Sequence, residues 1–168
     1  MNKFSIVAAW LIFLLSSTYV FTQDELDATQ TESLNAYGEV LLDVLQNQSQ
    51  LAIPNVDQYE AMIRGFDHRV DERYELLESM PAALTKRTAE VPQMVQKARL
   101  GAADRDIQVQ NLKYQDVQIK IKKNLEVIIG GNAVFTYEGD NGQTYNLIAN
   151  GIYHFDGEWF VLNKIYWN

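Results

Sequence analysis

Apolar residues recur at two periods along this chain. In the first part they fall three or four apart. In the last third they alternate with polar neighbours. Leu34, Tyr37, Leu41, Val44, Leu45 and Gln48 draw one stripe on a helix, preceded by a polar lead-in over residues 23–31. Ile53-Pro54-Asn55 stops that helix, and Asn55 is placed to cap the next. Tyr59, Met62, Ile63, Phe66, Val70, Tyr74 and Leu77 lie on one side at about 100° per residue. They predict a second helix over 56–80, ended by Pro81. A third helical region is expected over 82–100, interrupted near Pro92 and closed by Gly101, before a polar connection over 102–111.

From residue 114 the period is two. Val117, Ile119, Ile121, Leu125, Val127 and Ile129 hold one side, and Gln118, Lys120, Lys122, Asn124 and Glu126 the other, with Lys123 breaking the apolar row. This is one long bent strand, or two broken at 122–124. Gly130-Gly131-Asn132 reads as a three-residue turn that pairs Ile129 with Ala133 and Val127 with Phe135. Asp140-Asn141-Gly142 reads as the next turn, pairing Tyr137 with Tyr145 and Phe135 with Leu147. Asp156-Gly157, between two β-rich runs, is the strongest hairpin cue in the chain. The expected fold class is α+β, with three N-terminal helical segments packed on a curved C-terminal antiparallel sheet as a single domain over 32–168.

The closing hairpin sets the expected surface. One face shows Leu147, Tyr153, Phe155, Phe160, Leu162 and Tyr166. The other shows Ile148, Ile152, Trp159, Val161, Ile165 and Trp167. Neither is polar, and helices can cover one. The second set is therefore the expected interface of a homodimer.

Composition narrows the function. The net charge is −8, and residues 24–90 hold 14 acidic against 5 basic side chains. No basic stripe stands ready to neutralise phosphates, so no nucleic-acid partner is expected. Without cysteine there is no disulfide framework, thiolate metal site or thiol nucleophile. Lys3 followed by the apolar run over 6–15 has the form of a secretory signal peptide, cut after Thr22. Its rival is an uncleaved membrane anchor over 4–22. Either reading places the folded part outside the cytoplasm, periplasmic or secreted.

Gly131-Asn-Ala-Val-Phe135 as a strand entry, and Asp156-Gly-Glu-Trp159 as a terminal turn, resemble the nuclear transport factor 2-like superfamily, which includes the SnoaL-like cyclases and ketosteroid isomerase. The resemblance covers residues 114–167, and the helices in outline. It implies a cone with a pocket between helices and sheet, often dimeric, and no single activity. Enzymes of that group use an acidic residue or a His–Asp pair inside the cone.

No motif here sets such a pair. No catalytic residue, metal ligand or cofactor is therefore expected. His154 is the best lone candidate for chemistry. His68 and Glu72 lie four apart on one helix, but a metal site needs three or four ligands. Asp116 and Glu126 belong to the polar strand face, and Asn47-Gln-Ser49 is a glycosylation sequon. A small apolar ligand would sit among Tyr59, Phe66, Phe135, Tyr137 and Tyr153, with Tyr74 and Tyr145 as further interior tyrosines. Asp67, Asp71, Glu75 and Glu78 share a helix face that a basic protein partner could read. The leading expectation is an exported, non-catalytic binding or interaction module. Its rivals are a small cone-pocket isomerase, cyclase or hydrolase acting on an apolar ligand, and an inhibitor or immunity-type protein using an acidic helix.

Overall fold

The computed structural model describes residues 26–65, 70–125 and 128–168. Helix α1 spans Ala28–Asn47, α2 Val56–Gly65 and α3 Val70–Ala103. A single 3-10 turn, Val109–Asn111, leads into strands β1 Lys113–Leu125, β2 Ile128–Glu138, β3 Thr144–Phe155 and β4 Glu158–Trp167. The strands form one antiparallel sheet in the order β1-β2-β3-β4. The chain is α+β, with its helices N-terminal to a curved sheet, as the pattern predicts. The segment expected as a signal peptide, Phe66, Asp67, His68, Glu126 and Val127 lie outside the described residues, as does the side chain of Asp71.

Helix α1 starts at Ala28, inside the expected lead-in. Asp27 accepts from the Gln30 amide at 2.7 Å while the Gln30 side chain accepts from the Asp27 amide at 3.0 Å, a reciprocal capping box. Asn55 and Gln58 repeat the device ahead of α2, at 2.9 and 3.0 Å. Pro81 does not end a helix and Pro92 does not interrupt one, because α3 runs through both. Both prolines are exposed, so water can satisfy the carbonyl that each leaves without an N–H. Val91, Met94, Val95, Ala98 and Ala102 form an unbroken buried stripe across Pro92, and this packing outweighs the local penalty.

The first strand turn also differs from expectation. Gly130 and Gly131 lie within β2, and Leu125 pairs with Ile128. Phe135 faces Val117, not Val127. The glycines serve close approach here. A Cβ on Gly130 would stand 2.7 Å from the Tyr153 ring, and one on Gly131 would strike the Lys120 carbonyl where β1 bulges. The other two turns hold as read: Tyr137 pairs with Tyr145, Phe135 with Leu147, and Phe155 with Glu158. Asp156 and Gly157 take φ of 52° and 76°, the left-handed pair that a two-residue hairpin of this twist requires.

Gly151 decides the faces of the closing hairpin. It sits at φ 67° as an extra residue in β3, and its amide donates to Asn132 Oδ1 at 3.2 Å. The bulge reverses the alternation. Leu147 and Ala149 therefore join Ile152, Trp159, Val161, Ile165 and Trp167 on the inner face under α1 and α3. On the outer face, Tyr59 and Met62 of α2 cover Ile128, Tyr153, Phe155, Phe160 and Leu162. The sheet thus carries helices on both faces at its hairpin end.

Candidate functional site

The space between α1, α3 and the sheet is where a cone pocket would lie. Phe135, Tyr137, Leu147, Ile152 and Trp167 fill it, all with 2% exposure or less. Three polar tips find partners inside. Trp167 Nε1 donates to the Ala98 carbonyl at 2.9 Å, the Tyr137 hydroxyl to the Gly38 carbonyl at 3.0 Å, and the Tyr114 hydroxyl to Asn35 Oδ1 at 2.7 Å. Tyr114, Tyr137 and Trp167 stack edge to face, each step 5.9 Å between ring centroids. Burial pushes the hydroxyls of Tyr37 and Tyr137 far above the ordinary tyrosine range. The Tyr37 hydroxyl has no hydrogen bond of good geometry, although the Val161 backbone acts on it.

The residues expected to share one ligand pocket are not brought together. Phe135 and Tyr137 belong to the inner core. Tyr59 and Tyr153 pack across the sheet in the outer cluster. Phe66 lies outside the described residues. Tyr74 is 71% exposed, and the Tyr145 hydroxyl is held at the β2–β3 turn by Asn141 and Gln143.

The expected homodimer surface is corrected more sharply. Ile152, Trp159, Val161, Ile165 and Trp167 are all buried under the chain's own helices, and Ile148 alone of that set is half-exposed on the other face. The physical reason is that the Gly151 bulge turns these side chains to the inner face under α1 and α3, while α2 covers the outer cluster, so both apolar faces are covered from within one chain. These five side chains offer a second copy nothing to bury.

His154 lies at the N-terminus of α1. Its ring is tilted against Trp159 at 4.8 Å, and Trp159 Nε1 donates to Ser33 Oγ at 2.9 Å. Desolvation lowers the His154 pKa, partly offset by the charge of Asp27 and a backbone hydrogen bond at Gly157. Asp27 acts here as a charge, since its carboxylate already caps the helix. Asp116 is exposed. So are Glu72, Glu75 and Glu78 along α3. Asp43 accepts from both Asn47 and Ser49 of the sequon, at 2.6 and 2.9 Å. Among the described residues no three acidic or histidine side chains converge on a metal-sized site. No described helix is long and apolar enough to cross a membrane.

The chain matches no family model, no curated protein and no solved structure.

What remains is the outer surface. One cleft of about 300 Å³ lies between the segment after α1 and Thr88–Arg99 of α3. A larger groove of about 520 Å³ runs between α3 and β4. Lys86, Arg87, Glu90 and Lys97 line one wall, and Lys164 and Tyr166 the other. Lys86 and Arg87 both reach Glu90, at 3.7 and 3.3 Å, and Lys164 stands 4.7 Å over the Tyr166 ring. The groove is hidden from the sequence because segment charges do not show four bases gathered against one acid. The readable signal is the shared helix face of Lys86, Gln93 and Lys97.

Proposed function

We propose that this chain is an exported, non-catalytic interaction module that works through its outer surface. The observation that supports this is the filled interior. Phe135, Tyr137, Leu147 and Trp167 occupy the volume in which a cone-type enzyme would hold substrate. An acid–base centre would need a carboxylate or imidazole with a second polar group facing an open cavity. His154, the best lone candidate, is packed on an indole at the rim. Export rests on the apolar run over 6–15 behind Lys3. Kinship with the nuclear transport factor 2-like group belongs to the same proposal. Helices leading into a curved four-stranded meander support it, and the filled cone departs from the enzymes of that group.

The experiment is a thermal-shift screen of the folded domain against apolar small molecules, run beside chemical cross-linking in the extracytoplasmic fraction of the source cell. The proposal expects no stabilisation by apolar ligands and a discrete cross-linked protein partner. A ligand that raises Tm, is displaced by substitution of inner-face residues and is turned over would replace the module by the enzyme.

A further inference from the structure

We infer that the groove between α3 and β4 receives an extended acidic segment of a partner polypeptide, laid along the open edge of β4. The inference rests on the interaction-module reading and names the place and the chemistry of the contact.

Three observations carry it. The first is charge. Lys86, Arg87, Lys97 and Lys164 meet one acid, Glu90, in a chain whose net charge is −8. Lys86 and Arg87 share Glu90, so the groove keeps three positive charges uncompensated by its own lining. An anionic segment is attracted there against the repulsion of the rest of the surface, which selects for a locally acidic stretch over a long polyanion.

The second is the backbone. Among the described residues β4 pairs only with β3. The Asn168 amide donates to the Asn146 carbonyl at 3.0 Å, so alternation along an antiparallel ladder turns the amide and carbonyl of Ile165 outward. Ile165 lies in the groove. The irregularity at Leu162-Asn163 shortens the usable edge. Pairing can therefore supply register, while charge supplies most of the attraction.

The third is length. Lys86 and Lys97 lie eleven positions apart on one helix, about 16 Å along its axis. That is the reach of about five extended residues. In such a segment alternate side chains point one way, so two or three carboxylates can face the α3 bases while the backbone meets Ile165.

The test uses a fluorescent peptide of alternating glutamate and valine, with glutamine–valine and lysine–valine peptides and a single-stranded oligonucleotide as comparators. The folded protein is expected to bind the glutamate peptide alone, more weakly as salt is raised, and binding should slow hydrogen exchange at the Ile165 amide. Lys97→Glu with Lys164→Glu should weaken binding roughly tenfold. Lys97→Gln with Lys164→Gln should fall between, and Arg64→Glu on α2 should leave it unchanged. Equal binding by the charge-reversed variant, tighter binding of the oligonucleotide, or no protection at Ile165 would each overturn the inference. A natural partner that cross-links on another face would overturn it too, and would leave the interaction-module reading standing.

Discussion

The Tyr137 hydroxyl donates to the Gly38 carbonyl across 3.0 Å and joins the centre of the sheet to the middle of α1. Gly38 permits this because it has no side chain: a Cβ there would strike the Tyr114 ring, which lies against the helix backbone. Gly38→Ala is therefore expected to destabilise by roughly 1–3 kcal/mol through overpacking, although alanine favours a helix by about 1 kcal/mol elsewhere. Tyr137→Phe, which removes only the hydrogen bond, should cost about 1 kcal/mol. Urea unfolding of both variants measures the difference. A stabilising Gly38→Ala would show that α1 does not sit this close to β1.

Ile152 distinguishes core from interface. Buried between β3 and α1, it should lose about 2–5 kcal/mol on Ile152→Ala. Ile152→Asp should abolish the folded near-ultraviolet circular dichroism. Ile148→Asp, on the half-exposed outer face, should fold. If Ile152→Asp stayed folded and merely changed its sedimentation, the inner-face assignment would be wrong.

Three tyrosines predict an alkaline limit. Desolvation, with the charges of Asp116 and Glu39 adding to it, pushes Tyr114 up to about 12. Tyr37 and Tyr137 are raised further, also by burial. A phenol whose folded pKa exceeds its unfolded value of about 10 favours the fold while neutral. That stability is complete below the unfolded pKa and is lost as pH rises through the folded one. Tyrosinate absorbance should thus show the half-buried Tyr114 ionising before Tyr37 and Tyr137, which ionise only with unfolding. One smooth transition with the fold intact would contradict the packing.

His154 predicts the opposite flank. Burial lowers its folded pKa, so the unfolded chain takes up a proton more readily. Its contribution is present above about pH 6.5 and is lost as pH falls below that value. Stability should decline as pH falls below about 6.5, and His154→Gln should flatten this part of the profile. Denaturation midpoints across that range, with the imidazole followed by NMR, test it. An unchanged slope in His154→Gln would remove His154 as the cause.

Much of the local structure was legible because local chemistry specifies it. Asp156-Gly157 needs two residues that tolerate positive φ, and no distant contact alters that. Asn55 and Gln58 supply a capping box within four residues, and Asp27 with Gln30 supplied another that the polar lead-in concealed. The misread elements depended on partners far along the chain. Pro92 looks like a break in a helix until the buried stripe from Val91 to Ala102 is seen to hold that helix together. Gly130-Gly131 looks like a turn until Tyr153 is found lying across it.

The candidate groove shows the same divide. Lys86 and Lys97 could be placed on one helix face from their spacing, but Lys164 joins them only through the packing of α3 beside β4. The amino-acid order alone settled the periods, the Asn55 cap, two of the turns and the α+β class, because each follows from steric and hydrogen-bonding preferences within a few residues. Tertiary structure alone decided which sheet face is inner, how both apolar faces are covered and where the bases gather. A one-residue bulge at Gly151 reverses every side chain beyond it, and burial depends on what folds back over each face.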